Sequence, residues 1–444
     1  MNDEIVTAAE PKVKSIHHYA RKKDFTVNIH TTESAFEKLD AEWTELACLS
    51  NQMICMSSGW ASSWWRHFGR HKNRSLFIVT VYEEQKLVAI FPFYKGVTKV
   101  GGITMQRRLQ LIGSGGSRNE QFGFSGDYGI SDFLDVIVDP DYKTPIADLF
   151  VKLLLTPEMS RYKITFHQSR DDSYIMQTIY PLLKKSKRRV KAKHIDVCYY
   201  IEVDREGDFQ DFIKNSRSSA RRRFRQTIRA RGIGNEFIIK GPDGIGEADQ
   251  MLERLIHLHQ ERWNKAGYSG AFEDERFRKF FKEISFAAFW DNRLWIKQAV
   301  DGGGVSSVRM LLMYNGRYYD YMSGYDDDSP SSKHRPGIGL LLDLVECSLE
   351  HPIDRIELMR GDERYKLDFT DLAVNNWEIV IPEVRSWKTG VALPAAMVQL
   401  CSALYKHVSR EKKLLKVAYK NAGFLHMLPG YFKFRINAVI QKIQ

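Results

Sequence analysis

Hydrophobic and polar positions run along the chain in two passes of the same order. In the first, Ser34 to Leu49 (SAFEKLDAEWTELACL) places apolar residues at helical intervals, and Ser62 to Phe68 (SSWWRHF) begins a second short helix. Leu76 to Val81 and Leu87 to Phe93 are β-rich runs joined by the polar turn Glu83-Glu84-Gln85-Lys86, a hairpin signal. Pro92 restricts the second of these strands to an edge or an end. Gly113 to Ser117 reads as a loop, Phe133 to Val138 as a strand, Thr144 to Leu155 as a helix and Tyr162 to Phe166 as a strand.

The second pass opens with the helical pattern Met251 to Ala266. Leu294 to Val300 and Val305 to Met313 are strands joined across Gly302-Gly303-Gly304, followed by a strand Tyr318 to Gly324, a helix Gly337 to Glu350 and a strand Arg355 to Met359. Trp43 and Trp263 lie 220 residues apart and Leu76 and Leu294 lie 218 apart, whereas Tyr174 in DDSY and Tyr365 in DERY are separated by 191. The first half therefore carries about 27 more residues around its glycine-rich loop, and the two halves read as a diverged internal duplication. Each unit fits a mixed α/β (α+β) sheet with helices on both faces. The expected domains are a basic lead-in over 1–24, lobes over 25–200 and 201–385, and a basic amphipathic helical tail over 386–444.

Composition narrows the class. Of the 444 residues 43% are hydrophobic, a globular balance, and 66 Lys plus Arg against 55 Asp plus Glu leave a net charge of +11. Cys48, Cys55, Cys198, Cys347 and Cys401 are far apart with no C-x-x-C, which excludes a zinc ribbon and points to a reducing compartment. The first residues have no apolar signal core and no run is long enough to span a bilayer, so the expectation is a cytoplasmic protein. The tail, with apolar Val391 to Leu404 and basic Lys406 to Lys420, is expected to attach at the inner face of the membrane or to a membrane-bound synthase.

Positive charge is clustered: seven basic residues fall in Lys184 to Lys193, and eight in Lys214 to Arg231 with no acidic residue between them. In the second cluster Ile213, Ala220, Phe224 and Ile228 form an apolar stripe, and Arg217, Arg221, Arg225 and Arg229 a separate stripe at i, i+4 spacing. Such a face is either solvated or a polyanion contact.

The chain has no G-x-S-x-G elbow, no Walker A lysine loop and no H-E-x-x-H. His257 and His259 are two apart on a helix, diverge, and cannot share a metal there. The strand Tyr318 to Tyr325 leads into His334-Arg335-Pro336-Gly337-Ile338-Gly339-Leu340 and a helix. Pro336 suits a first helical turn, the glycines leave N–H groups uncovered, and the helix dipole with Arg335 makes an anion site suited to a pyrophosphate. The next strand runs into Arg360-Gly-Asp-Glu-Arg-Tyr-Lys366, a cluster of carboxylates, a tyrosine and a lysine.

These stretches, with Ser216 to Phe224, His259-Gln-Glu-Arg-Trp263 and Tyr321-Met-Ser-Gly-Tyr-Asp326, resemble the CelD-like branch of the GNAT acetyltransferases, often found in cellulose or exopolysaccharide biosynthesis. The likeness covers about residues 200 to 370. The tandem order also resembles the Fem peptidyltransferases, which use aminoacyl-tRNA. The resemblance implies an N-acyltransferase that takes acetyl-CoA or another acyl-CoA, needs no metal, and acylates a small-molecule or sugar amine. It implies a donor loop of His334, Arg335, Gly337, Ile338, Gly339 and Leu340. His334 stands where this superfamily usually has Gln or Arg. Asp320, Asp362 and Glu363 are the base candidates and Tyr365 the acid; His259, Arg262, Trp263 and Tyr321 are expected to line the acceptor pocket. The first half, without a basic glycine loop before its helix, is expected to shape the acceptor site. Alternatives are an aminoacyl-tRNA-dependent transferase and a non-catalytic scaffold of a polysaccharide-synthesis complex.

Overall fold

A computed structural model describes residues 25–100, 103–115, 130–232 and 235–384. The lead-in and the tail lie outside the described residues. The first lobe contains β1 (Phe25–His30), α1 (Glu33–Glu37), α2 (Asp40–Leu49), α3 (Ser58–Trp64), β2 (Arg74–Glu83), β3 (Lys86–Val100), β4 (Ile103–Leu111), β5 (Ile137–Val138), α4 (Lys143–Leu154), β6 (Lys163–Arg170) and α5 (Tyr180–Lys185). β7 (Lys191–Glu202) follows the first lobe, and the second contains α6 (Phe209–Asn215), α7 (Ser218–Ala230), β8 (Ile238–Lys240), α8 (Ile245–Lys265), α9 (Glu275–Trp290), β9 (Leu294–Asp301), β10 (Gly304–Tyr314) and β11 (Arg317–Tyr325). It closes with α10 (Pro336–Ser348), β12 (Arg355–Arg360), α11 (Lys366–Phe369) and β13 (Ala373–Ile381).

The duplication is visible in the pairing. In each lobe an antiparallel meander (β2-β3-β4; β9-β10-β11) is followed by a helix and a strand parallel to its last member: β4 with β6, β11 with β12. The lobes then exchange a strand. β7, which follows the first lobe, pairs antiparallel with β12 of the second, and β13, which ends the second, pairs with β6 of the first. β7 and β13 also pair with each other, so one sheet runs β1-β2-β3-β4-β6-β13-β7-β12-β11-β10-β9-β8.

One core holds residues of both lobes, including Trp60 and Tyr94 with Phe280 and Phe281; α6, α7 and α10 cover a separate core in the second lobe. Between the lobes, Trp60 sits edge-on to Phe280 and to Tyr321 at 5.1 and 5.2 Å. Beside them the Glu283 carboxylate accepts from Ser63 Oγ at 2.6 Å, meets the His67 ring at 2.7 Å and pairs with Arg66.

Three expectations are corrected. The pattern over Ser34 to Leu49 is two helices that break at Lys38 and Leu39. Only Ile137–Val138 of the expected strand Phe133 to Val138 is extended in pairing, since Phe133 takes a positive φ of 60°. Pro92 lies inside the central strand β3 and not at an edge or end. Its missing N–H is harmless because it falls where the partner of β3 changes from β5, paired at Ala89 and Ile90, to β4, paired from Phe93 onward.

The approach of α8 to β11 depends on Gly324. A methyl there would lie 2.7 Å from the Leu255 carbonyl and 3.0 Å from the His259 nitrogen, both backbone atoms of a helix that has no room to give. Gly324→Ala is expected to lose about 1–3 kcal/mol by overpacking. A denaturant midpoint unchanged from wild type would contradict this packing.

Candidate active site

β11 and β12 run parallel over three residue pairs only, Arg317–Tyr319 against Arg355–Glu357. At the point of parting both strands are irregular. Tyr321 is the extra residue of a bulge against β10, where Met310 faces Met322 and Leu311 faces Asp320. On β12 the register with β7 shifts between Glu357 and Arg360, and Met359 takes a φ of 57°. The two strands therefore open into a cleft, with Asp320 on one wall and the Arg360 to Lys366 loop on the other.

Within it the Asp320 carboxylate pairs with Arg309 Nη1 at 2.5 Å, both side chains almost wholly buried. The Arg309 guanidinium also lies 5.6 Å from the Tyr365 ring centroid. Lys366 is 2% exposed, and its ammonium donates to the carbonyls of Arg360 (2.7 Å), Met359 (3.2 Å) and Gly361 (3.3 Å) and to Glu363 Oε2 (2.8 Å). One buried cation thus gathers the carbonyls of the strand end and fixes the Glu363 carboxylate. Gly361 is favoured by its φ of 115°, which side chains rarely adopt, and the Glu363 carboxylate folds over its Cα.

Burial raises the Asp320 carboxyl above its ordinary value against the opposing charges of Arg309 and Lys366. Burial, then the neighbouring Asp320 carboxylate, lifts the Tyr365 phenol well above its ordinary range, so it keeps its proton at neutral pH. Burial opposes the charge on Arg309, but Asp320 and Tyr365 outweigh it.

At the donor end, Arg335 is the residue before α10, left-handed at φ 57° and ψ 61°. Its carbonyl accepts the Ile338 and Gly339 N–H groups, and its exposed guanidinium has no partner among the described residues. A Cβ on Gly337 would lie 3.4 Å from Ser307 Oγ, within ordinary reach. Gly339 has a packing reason, since a Cβ there would meet the Phe237 ring at 2.9 Å. The His334 carbonyl accepts from Thr227 Oγ1 at 3.1 Å, its ring is 3.6 Å from the Glu236 carboxylate, and Leu340 is buried beneath the helix.

On the other wall α8 brings His259, Arg262 and Trp263 over the end of β11. The Trp263 indole N–H donates to His259 Nε2 at 3.0 Å, and burial, with Arg262 adding, lowers the imidazole to about 4. It is neutral at pH 7, with its Nδ1 buried and unpartnered among the described residues. Arg262 lies 4.2 Å above the Tyr325 ring, and the charges of Asp327 and Glu363 also reach that phenol. Tyr321 is elsewhere. Its hydroxyl donates to the Ile130 carbonyl at 3.0 Å and its ring is held between Trp60 and Phe281 on the seam between the lobes. Close by, Arg360 donates to the Ser131 carbonyl at 3.1 Å and pairs with Asp132, so the first-lobe segment 130–132 bridges the parted strands.

Asp320, Glu363, Tyr365 and the donor loop are thus gathered around one cleft, while Asp362 is exposed beside it. Sequence reasoning missed Arg309, Tyr325 and the role of Lys366. Arg309 left a signal, a lone cation inside the apolar strand Val308 to Met313, and such a residue is buried only when paired. The arginine stripe also differs from expectation. Arg217 pairs with Asp371 and Arg221 donates to the Ser216 carbonyl, so the exposed face of α7 without partners among the described residues is Arg222, Arg225 and Arg229. Among the described residues no group of three or more His, Cys, Asp or Glu could hold a metal ion. None of the described helices is long and apolar enough to cross a membrane.

With this geometry, residues 214–367 match the family profile of the acetyltransferase (GNAT) domain. This segment is similar to GNAT-type acetyltransferase domains. It contains α7 to α10, the opened β11–β12 pair and the Lys366 hub, which makes the second lobe an acyltransferase. No curated protein matches the sequence. Among solved structures, FemX aligns with a TM-score of 0.52 at 9% identity, covering 79% of this chain and 96% of that one. A tandem GNAT protein from the clavulanic acid biosynthesis pathway aligns at 0.42 and 10% identity, covering 81% and 100%. A conserved protein of unknown function from Bacteroides thetaiotaomicron VPI-5482 gives 0.46 and 10%, covering 80% and 100%. The FemX likeness spans both lobes and shows the shared tandem fold.

Proposed function

We propose that the second lobe transfers an acetyl group from acetyl-CoA to an amine that enters between the lobes, with an amino sugar as the favoured acceptor. The observation that carries this reading is the Arg309–Asp320–Tyr365–Lys366–Glu363 cluster at the parting of β11 and β12, inside the matched domain. The residues present suit the donor. Arg335, unpartnered among the described residues, and the Gly337 N–H at the start of α10 suit a pyrophosphate, and Gly337 leaves open the space before Ser307.

An alkyl amine with pKa about 10.4 is neutral in only about one part in 2,500 at pH 7, so removing its proton is worth up to roughly 4–5 kcal/mol. Glu363, held by Lys366, is the base in this reading, with the exposed Asp362 as its neighbour. The amine nitrogen forms a bond to the thioester carbon as its proton passes to Glu363. The carbon–sulfur bond then breaks and the departing thiolate takes the Tyr365 proton. Asp320 is fully engaged by Arg309 and acts by holding that cation beside Tyr365. Arg262 and Trp263 supply a guanidinium and an indole face to the acceptor, and neutral His259 holds the indole in place. Alignment of the two substrates supplies much of the remaining rate.

The test is calorimetric titration with acetyl-CoA. Saturable binding that weakens at least about tenfold, about 1.4 kcal/mol, in Arg335→Ala is the expected result. Absence of binding to wild type would overturn the donor assignment. The same titration with bulk tRNA at two salt concentrations tests the aminoacyl-tRNA alternative, whose support is the exposed Arg222, Arg225 and Arg229 face.

A further inference from the structure

The first lobe contains a cavity that the acyl-transfer reading does not use. It has a volume of about 350 Å³ and is bordered by the start of α4 at Lys143, by the Arg170 to Thr178 segment after β6, and by Asn51 and Gln52. The second lobe contributes Arg317 from the start of β11. By the internal repeat, these are the first-lobe counterparts of the α10 start and the Arg360 to Lys366 loop, and Tyr174 is the counterpart of Tyr365. The chemistry differs. The Tyr174 hydroxyl donates to the Lys143 carbonyl at 2.5 Å, which ties the loop to the helix start where the second lobe stays open.

The charges do not balance. Arg170, 2% exposed, pairs with Asp172 at 2.8 Å and with Glu357 at 3.0 Å, and Glu357 is shared with Arg355 at 3.5 Å, so two carboxylates meet two cations. Asp135 is buried in the floor and accepts the Val136, Tyr174 and Ile175 N–H groups at 2.7 to 3.0 Å. Burial nevertheless outweighs those three donors and pushes its carboxyl up to about 7, so at neutral pH it carries only part of a negative charge. Two cations remain. Lys143 has no ion pair among the described residues, and the acceptors that Arg317 meets there are neutral: the Asn51 carbonyl at 3.4 Å, the Asn51 side-chain oxygen at 3.0 Å and the Tyr319 hydroxyl. Asn51, Gln52, Ser173 and Gln177 add neutral hydrogen-bonding groups to the same lining.

We propose that this cavity is a second ligand site, specific for a small anion whose phosphate or carboxylate is held between Lys143 and Arg317. At about 30 Å³ per water-sized group it accommodates roughly a dozen such groups, the size of a small phosphorylated or carboxylated metabolite and much smaller than a coenzyme A. The occupant touches both lobes, since Arg317 opens β11 and Arg170 reaches β12 through Glu357.

Inorganic phosphate and succinate, titrated separately into the full chain in a buffer free of both, distinguish the two anion chemistries. One of them is expected to bind saturably with one site per chain. That binding is expected to weaken at least tenfold in Lys143→Met and in Arg317→Met and to persist in Arg335→Ala, whose change lies at the acetyl-CoA loop. Saturable binding of neither probe overturns the site. So does binding that survives both cavity variants, or that disappears in Arg335→Ala and not in Lys143→Met. Acetyl-CoA titration of the two cavity variants, expected to be unchanged, keeps a failure of this site distinct from a failure of the donor assignment.

Discussion

Tyr365→Phe is expected to lower the turnover number for acyl transfer by about 10²–10⁴-fold, the range for removal of a positioned acid, while acetyl-CoA affinity stays within about twofold. The phenol ring packs at the start of α11 against Arg309, and phenylalanine keeps that packing while losing the hydroxyl, with its proton and its hydrogen bond to Arg309. The pH profile separates this from a structural effect. The ordinary phenol value is 10.0, and burial raises Tyr365 above it. A group raised in this way stays protonated through neutral pH and into the alkaline range. Wild-type turnover is therefore expected to show no loss from this group as pH rises toward 10, and the variant should be slow across that whole range. Full turnover in Tyr365→Phe at pH 7 would remove it from the mechanism.

Arg309→Met is expected to destabilise the fold by about 3–5 kcal/mol, because it strands the buried Asp320 carboxylate without its ion-pair partner. The double variant Arg309→Met with Asp320→Leu is expected to recover most of that loss, since apolar pairs of similar volume are often as stable as the buried ion pair they replace. The sign of the pH dependence follows from the shift at Asp320. Burial already raises its carboxyl, and without Arg309 it rises further, so the native state of the single variant binds a proton more tightly than the unfolded chain. Its deficit is then largest at neutral pH and shrinks as the pH falls through the raised value. Denaturant unfolding at pH 5 and pH 8 checks both points; a single variant as stable as wild type at pH 8 would show that the pair is not buried as described.

Much of the second lobe was legible in the sequence because local pattern and local chemistry agree there. The hairpin β9–β10 follows from alternating residues around Gly302 to Gly304, α10 from Pro336 and a leucine-rich face, and the Arg360 to Lys366 loop from its density of charge after an apolar strand. Local pattern misled where a non-local partner decided. Pro92 is central because a change of partner in β3 removes the need for its N–H, and nothing in the strand's own residues reports that change. Tyr321 looked like a cleft residue on a polar strand, yet a bulge and the first-lobe Trp60 place it on the seam. Arg309 and Asp320 lie 11 residues apart on neighbouring strands, and their pairing depends on a register that one bulge sets.

The sequence by itself determined two α/β units of common order, an anion-suited turn at Arg335 to Gly339, and a carboxylate, tyrosine and lysine cluster after a buried strand. Each of these is written in spacing of 2 or 3.6 residues, or in glycine and proline at fixed offsets, which act over a few neighbours. The tertiary structure alone decided that β7 and β13 change lobes, that the parting of β11 and β12 is bridged by residues 130–132, and that Lys366 turns inward to three carbonyls. Strand partner, register and the burial of a charge are set by contacts between residues distant along the chain, and a periodic pattern says which face is apolar without saying what will cover it.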